Sequence, residues 1–166
     1  GESEMNKHVQ LKEIIEEDIG NIKTNPLNPR EHSKKQVKKI GNSIRTLGFR
    51  NPIQVDENNV VLAGHGRLEA AKWLKLKKVP VIRHTDLTEA EKMALLIADN
   101  KIAEDSTWDM TLLVDNFEIL SELDCSFDQT ITGFESYEID TLCEKKELTD
   151  EVEETIYTAT DNNDPP

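Results

Sequence analysis

Residue types that build metal sites and disulfide scaffolds are scarce in this sequence. Its 166 residues include two cysteines, Cys125 and Cys143, and neither has a CxxC or CxxH companion. The four histidines are scattered and form no HxxxH pair. The spacing therefore argues against a zinc site and provides no disulfide framework.

Long apolar runs and aromatic residues are also lacking. No run of about eighteen apolar residues is present, and the N-terminal residues lack the apolar core of a signal peptide. We therefore expect a cytoplasmic protein with no membrane partner. The two Trp, two Tyr and four Phe residues are too few to interleave with basic residues as in single-strand nucleic-acid binding.

The charge is unevenly distributed along the chain. The formal net charge is −13, yet residues 23–83 hold fourteen Lys and Arg against four Asp and Glu, a net of +10. Residues 84–134 hold two basic residues against twelve acidic ones, and residues 135–166 hold two against eleven. A basic segment between acidic flanks indicates an anionic ligand and carries no information about the fold.

Residues 60–73 combine a short β-favouring run, two glycines and a helical pattern. Gly64 and Gly66 permit unusual backbone angles and the close approach of another group. Free N–H groups at a helix start favour an anion, and Arg67 adds a planar fork of donors suited to phosphate or carboxylate. The alternative is a structural turn in which the glycines serve packing alone and Arg67 is solvated, because short glycine motifs often occur by chance.

The hydrophobic pattern predicts an α/β (α+β) domain with a small mixed sheet. Four strands are predicted, near residues 9–14, 52–56, 60–63 and 79–83. Pro80 would place the last of them at an edge of the sheet. Ser33 with Gln36 predicts a capping box at the start of a helix that Gly48 ends. Thr88 with Glu91 predicts a second capping box, and Asp109 is predicted to cap a further helix.

The pattern also divides the chain into segments. We expect a tail over residues 1–8, the α/β domain over 9–105 and a helical extension over 106–146. Residues 147–166 are acidic and poor in apolar residues, so we expect a disordered linker there. Such a linker would fit a longer protein.

Three short motifs occur in order along the predicted domain. Residues 25–30 read NPLNPR, residues 64–67 read GHGR, and an Asp-Asn pair stands at 99–100. They resemble the NPxxPR loop, the Gly-Glu-Arg-Arg phosphate motif and the Glu-Asn pair of the N-terminal domain of the ParB family, which shares its fold with sulfiredoxin. The similarity covers roughly residues 9–105, and three motifs in order are far more specific than one alone.

The resemblance implies a ligand and a set of binding residues. In chromosome-partitioning members this domain binds CTP with magnesium, so a nucleoside triphosphate (CTP or ATP) with Mg²⁺ is the expected cofactor. The residues expected to bind the nucleotide are Arg30, Gly64, His65, Gly66 and Arg67. Asn100 and Asp99 would face Mg²⁺, a hard ion that takes oxygen ligands.

The sequence also departs from the family pattern. His65 and Gly66 replace an acidic residue and an arginine, which removes one phosphate contact, and Ala103 stands where an arginine is usual. The catalytic cysteine of sulfiredoxin would fall at His65, so the resemblance excludes reduction of sulfinic acids. No helix-turn-helix pattern follows residue 105. Three features instead resemble the ParB-like domain found ahead of phage and plasmid-type DNA methyltransferases: the ADNKIAE run at 98–104 with Trp-Asp at 108–109, the Thr-Gly-Phe segment at 132–134, and the acidic linker.

The expected function is a nucleotide-binding regulatory or DNA-targeting module of a DNA-modifying protein, with or without slow hydrolysis of the nucleotide as an NTPase. Its partner would be a C-terminal catalytic domain, such as a DNA methyltransferase beyond Pro166, or a separate protein. One alternative is a nuclease or phosphotransferase, for which Asp99 and His65 are the candidate bases; another is a protein-interaction domain with a degenerate site. Weak, sequence-independent DNA contact is expected from Lys34, Lys35, Lys38 and Lys39.

Overall fold

The structure is a computed structural model that describes residues 8–123 and 126–161, so Cys125 lies outside it. Within those residues the order is β1 (Ile14–Asp18), α1 (Lys34–Leu47), β2 (Ile53–Asp56), β3 (Val61–Ala63), α2 (His65–Trp73), β4 (Lys78–His84), α3 (Glu89–Glu104), α4 (Met110–Glu122) and α5 (Ser136–Asp161). The chain divides into two compact units between Ser106 and Thr107. None of the described helices is long and apolar enough to cross a membrane.

The four strands form one mixed sheet in the order β1-β4-β2-β3. β4 runs antiparallel to β1 and parallel to β2, and β2 runs antiparallel to β3. The prediction that Pro80 marks an edge strand is therefore wrong. Pro80 lies opposite Glu16 of β1, and the pairing of β4 with β2 begins one residue later, where Val81 faces Ile53. The proline thus interrupts no pairing with β2.

The first strand lies later in the chain than the sequence predicts. The alternation over residues 9–14 predicts a strand there, whereas β1 spans Ile14–Asp18. Ile15 packs against the apolar core, and Glu17 accepts a hydrogen bond of 2.9 Å from Arg83 of β4. Because a cross-strand partner stabilises Glu17, this acidic stretch forms a strand that its local pattern does not show.

The core of the first unit lies between the sheet and α2. Its buried members come from every strand except β1 and include two residues of α2, Leu68 and Ala71, both 0% exposed. The full set is Ile22, Ile53, Val55, Val61, Leu68, Ala71, Val79 and Val81. Burial of this face fixes the first turn of α2 beside the end of β3.

Helix α1 begins and ends where the sequence predicts. Ser33 Oγ accepts a hydrogen bond from the N–H of Gln36, and Gly48 ends the helix with a φ of 85°. Gln36 does not complete a capping box, because its side chain contacts His32 at 3.1 Å. In the first turn of α1, the Gln36 side chain therefore contacts a residue that precedes the helix.

Polar side chains in the first turns of helix α3 contact the end of β2 and the turn that follows it. Thr88 and Glu91 form the predicted capping box. Lys92 Nζ lies 2.7 Å from Glu57, 3.0 Å from Glu89 and 3.5 Å from the buried Asp56. Hydrogen bonds to Glu57 and Glu89 raise the pKa of Lys92, so it remains charged at physiological pH. Leu96 is the buried apolar anchor of this helix.

The second unit is helical, and its last helix is longer than the sequence predicts. Asp109 caps α4 as predicted, and Phe117 and Ile139 pack together between α4 and α5. Residues 147–161, expected to be a disordered linker, continue α5 to Asp161, and residues 162–166 lie outside the described part. Leu148, Val152 and Ile156 recur every four residues there, which is compatible with a helix despite the acidic composition.

We predict that Leu68→Ala destabilises the first unit strongly. Leu68 is 0% exposed in the core, so its truncation should lower the free energy of unfolding by about 2–5 kcal/mol. Urea denaturation followed by circular dichroism measures this loss. Leu47→Ala is the matched control, because Leu47 is 44% exposed at the end of α1. An equal loss in both variants would contradict the assignment of the core.

Candidate functional site

A pocket of about 170 Å³ lies in the first unit where α2 begins. It is lined by the NPLNPR loop, the first turns of α1 and α2, and the last turns of α3. Its lining residues are Arg30, His32, Gln36, Ile40, Gly64, His65, Gly66, Arg67, Asp99, Asn100 and Ala103. The structure therefore brings together every residue that the sequence predicted for nucleotide or metal binding.

A left-handed glycine joins the sheet to α2 at the floor of this pocket. Gly64 has φ 100° and ψ 27°, a conformation that residues with a Cβ rarely adopt. The first bond of the helix joins the Leu68 N–H to the Gly64 carbonyl at 2.9 Å. The N–H groups of His65, Gly66 and Arg67 precede that bond, so they lie at the positive end of the helix dipole without an intrahelical acceptor.

Arg67 extends from the first turn of α2 and folds back over Gly64. A Cβ built at Gly64 would lie 3.0 Å from Arg67 Nη2. Nη2 donates to the Pro52 carbonyl at 3.2 Å, while Nε is buried and has no acceptor among the described residues. Burial lowers the pKa of Arg67, and the charge of Asp99 opposes this shift. A buried, charged donor without an acceptor is a group that a ligand oxygen would satisfy.

Arg30 connects the NPLNPR loop to the end of α3. Its Nη1 donates to the Asn100 carbonyl and to Glu104 Oε1, each at 3.2 Å. Asn28 Oδ1 accepts from the Arg30 N–H at 3.3 Å and from Asn100 Nδ2 at 3.4 Å. Asn100 Nδ2 also donates to the Leu96 carbonyl at 2.9 Å. Both amide protons of Asn100 thus have acceptors in the protein, and Oδ1 is the atom that it can present to a ligand.

His65 lies under the loop rather than in the open part of the pocket. It is 9% exposed, and its Nε2 accepts a hydrogen bond from the Asn25 N–H at 3.4 Å. Burial lowers the pKa of His65, the nearby His32 lowers it further, and Asp99 opposes both. His65 is therefore neutral at physiological pH and positions the loop, and its role as a base stays a prediction.

His32 lines the pocket although the sequence analysis gave it no role. A Cβ at Gly66 would lie 3.0 Å from His32 Cε1, so the imidazole ring is packed directly over that glycine. One residue, Glu31, lies between His32 and Arg30 of the NPLNPR motif, and the residue after His32 is the cap of α1. The sequence offered one signal for His32, which is a polar residue between the NPLNPR motif and the cap of α1. The four histidines are scattered, so their spacing predicted no site.

Two of the four lysines of α1 line a second pocket, and the other two do not. Lys34 and Lys38 line a second pocket of about 340 Å³ together with His32, Val37, Glu69 and Trp73. Lys35 and Lys39 are not among its lining residues. The basic face predicted to contact DNA thus borders an apolar groove on one side.

The metal prediction rests on two oxygen donors only. Asp99 is exposed on α3, and Asn100 follows it at the rim of the pocket. Among the described residues there is no group of three or more His, Cys, Asp or Glu that could hold a metal ion. Any Mg²⁺ at this place would therefore take its remaining ligands from water and from phosphate oxygens, as Mg²⁺ commonly does.

The fold of this chain is also found in a solved ParB structure. The structure is that of a C-terminally truncated chromosome-partitioning protein ParB from Caulobacter crescentus complexed with CTP-gamma-S. It superposes with a TM-score of 0.59 at 24% sequence identity, covering 66% of this chain and 63% of that one. The two proteins share a fold, as the sequence analysis predicted.

The family follows from the sequence comparison. The model of the ParB N-terminal domain matches residues 3–100, and the chain belongs to this family. The ParB-like nuclease domain-containing protein YnaK of Escherichia coli is 45% identical over 65 residues, which are 39% of this chain and 75% of YnaK. A probable chromosome-partitioning protein ParB of Rickettsia bellii is 30% identical over 120 residues, 69% of this chain but 41% of that protein.

We predict that Gly64→Ala destabilises the first unit and displaces Arg67. The positive φ costs about 1–3 kcal/mol for a residue with a Cβ, and the new methyl group meets the guanidinium at 3.0 Å. Urea denaturation gives the loss of stability. Gly20→Ala is the control, because a Cβ at Gly20 has no described atom within 4 Å. A Gly64→Ala variant as stable as the control would show that the turn is not constrained.

Proposed function

We propose that residues 9–105 form a magnesium-dependent nucleotide-binding module, with the triphosphate of CTP or ATP held in the pocket at the start of α2. The observation that carries this proposal is the buried Arg67 Nε, which has no acceptor among the described residues. It lies beside helix N–H groups that precede the first intrahelical bond. An anion with several oxygens satisfies both kinds of donor together.

The donors of the pocket match the parts of such a ligand. Arg67 and the N–H groups of residues 65–67 would hold phosphate oxygens. Arg30 would add a second cation, in competition with its present acceptor Glu104. Asn100 Oδ1 and the Asp99 carboxylate would face Mg²⁺, whose charge offsets that of the triphosphate. The ParB structure that shares this fold is a complex with CTP-gamma-S, which supports a nucleotide as the ligand.

The arrangement favours binding of the nucleotide over cleavage. A general base needs an acceptor atom within hydrogen-bond reach of the nucleophile. Nε2 of His65 already accepts from the Asn25 N–H, so Asp99 is the remaining candidate. Nuclease activity, which the name of YnaK suggests for that protein, would depend on Asp99 alone among the predicted bases, and so would phosphotransferase activity.

The module would serve a larger DNA-modifying system. The chain spans 41% of the length of the Rickettsia ParB. The activity of a whole protein that contains this module is therefore part of the proposal. We infer a regulatory or DNA-targeting role, with a DNA methyltransferase or another catalytic partner supplying the chemistry. The support is the likeness of the residues after Asp99 to ParB-like domains that precede such enzymes.

Titration with CTP, ATP, GTP and UTP, with and without Mg²⁺, tests the nucleotide site. At least one nucleotide should bind, and Arg67→Ala should weaken its affinity about ten- to a hundred-fold, because a charge-assisted contact contributes about 1.5–3 kcal/mol. Isothermal calorimetry measures both quantities.

Arg45→Ala is the matched control for that experiment. Arg45 is exposed and lies over the Trp73 ring, outside the pocket at the start of α2, so its loss should leave nucleotide affinity unchanged. Failure of every nucleotide to bind at millimolar concentration would favour a degenerate interaction domain. Binding that survives Arg67→Ala undiminished would place the nucleotide elsewhere.

DNA contact is tested separately through the lysines of α1. The protein should bind duplex DNA weakly and with little sequence preference, with an affinity that falls steeply as salt rises. Replacing Lys34 and Lys38 by Gln should reduce the slope of log affinity against log salt by roughly one unit per lysine. A Lys35→Gln, Lys39→Gln variant measures the other pair, and Lys145→Gln in the acidic unit is the control. Tight, sequence-selective binding at physiological salt would contradict this proposal.

A further inference from the structure

The space above Gly66 is filled by a side chain from another part of the chain. A Cβ at Gly66 would lie 3.0 Å from His32 Cε1, 3.1 Å from His32 Nδ1 and 3.0 Å from Ile40 Cδ1. The imidazole therefore occupies the volume into which a side chain at position 66 would extend. Since His32 also lines the pocket beside Arg67, the ring is placed among the anion-binding donors.

Glycine at position 66 leaves the pocket short of one cation. The phosphate motif that this segment resembles has an arginine at that position, and here no side chain is present. A histidine can supply the missing positive charge when it is protonated, because its charge changes within the range of about pH 5–8.

The hydrogen bond of His32 determines which nitrogen gains the proton. Its Nδ1 lies 3.1 Å from Gln36 Oε1, an acceptor, so Nδ1 carries the hydrogen in the neutral ring. Nε2 is then the atom that binds a second proton, and the protonated ring is a donor at both nitrogens. His65 differs, because burial lowers its pKa and its Nε2 is already an acceptor for the Asn25 N–H.

We propose that His32 is an additional anion-binding residue of the pocket, which in its protonated form takes the place of the arginine missing at Gly66. This rests on the proposed function, since the ligand it would contact is the same triphosphate. The ring packed over Gly66 and the pocket shared with Arg67 carry the inference.

The neighbours of His32 include charges of both signs. Those that share one of its two pockets are Arg30, Lys34, Lys38, His65, Arg67, Glu69 and Asp99. A bound triphosphate adds several negative charges on the side of Arg67, so a positively charged ring at this position is attracted to it.

The sign of the pH dependence follows from this attraction. If the protonated ring binds the ligand more tightly, binding takes up a proton and the affinity falls as pH rises through the histidine range. The terminal phosphate of a nucleotide also titrates near pH 6, so the wild-type profile alone is not sufficient. Comparison with a variant that lacks the imidazole isolates the contribution of the protein.

The test measures binding of CTP and of inorganic tripolyphosphate, with Mg²⁺, at pH 6 and pH 8. His32→Gln should weaken binding about ten-fold at pH 6 and less than about two-fold at pH 8, since a ten-fold effect corresponds to a shift of about one pKa unit. His84→Gln is the matched control, because His84 contacts Gln54 on the sheet outside this pocket. Thermal melting checks that both variants remain folded.

A titration of the wild type by NMR avoids any effect of substitution on folding. The midpoint of the His32 ring signals should move to higher pH by about one unit when the triphosphate is bound. One outcome would overturn this inference and leave the proposed function intact: Arg67→Ala abolishes nucleotide binding, but His32→Gln binds the nucleotide with the full pH dependence of the wild type. An unmoved His32 midpoint in the bound state would overturn it as well, and failure of any triphosphate to bind would refute both.

Discussion

The packing of α2 against the sheet is the constraint on which the site depends. Leu68 and Ala71 are completely buried, so the helix cannot rotate without exposing them. The chain passes from the end of β3 into this helix through one residue, Gly64, which has the left-handed conformation. The same turn directs the first N–H groups of α2 and the guanidinium of Arg67 toward one pocket. Core packing thereby produces the geometry on which the proposed anion site depends.

The other wall of the pocket is held in a different way. At the start of α3, Lys92 forms an ion pair with the β2–β3 turn, and in its middle Leu96 is buried. At its end, Arg30 donates hydrogen bonds to Asn100 and Glu104. Arg30 is thus both a structural donor and a candidate ligand of phosphate. A phosphate oxygen that takes Arg30 must replace the carbonyl and carboxylate that now accept from it. Ligand binding in the pocket and the hydrogen bonds that hold the end of α3 therefore compete for the same guanidinium group.

The sequence was sufficient for the features that depend on local chemistry. The caps at Ser33, Thr88 and Asp109 and the glycine turn were predictable because their hydrogen bonds lie within a few residues. The three motifs also indicated which residues meet in one pocket. What could not be predicted depends on partners distant in the chain. Pairing with β4 makes a strand of an acidic stretch, and the sheet order places Pro80 inside rather than at an edge.

The role proposed for His32 belongs to the same class of long-range effect, and it would make the glycine at position 66 of the phosphate motif compatible with the proposed anion binding. Taken alone, glycine at position 66 removes a charge. In the folded chain its small size admits a ring from the start of α1, at a distance that any Cβ would forbid without movement of that ring. The formal charge of −13 does not oppose this, because screening over about 8–10 Å makes the local cations decisive. The charge of the pocket is therefore set by Arg30, Arg67, Asp99 and the helix N–H groups, together with the contribution proposed for His32.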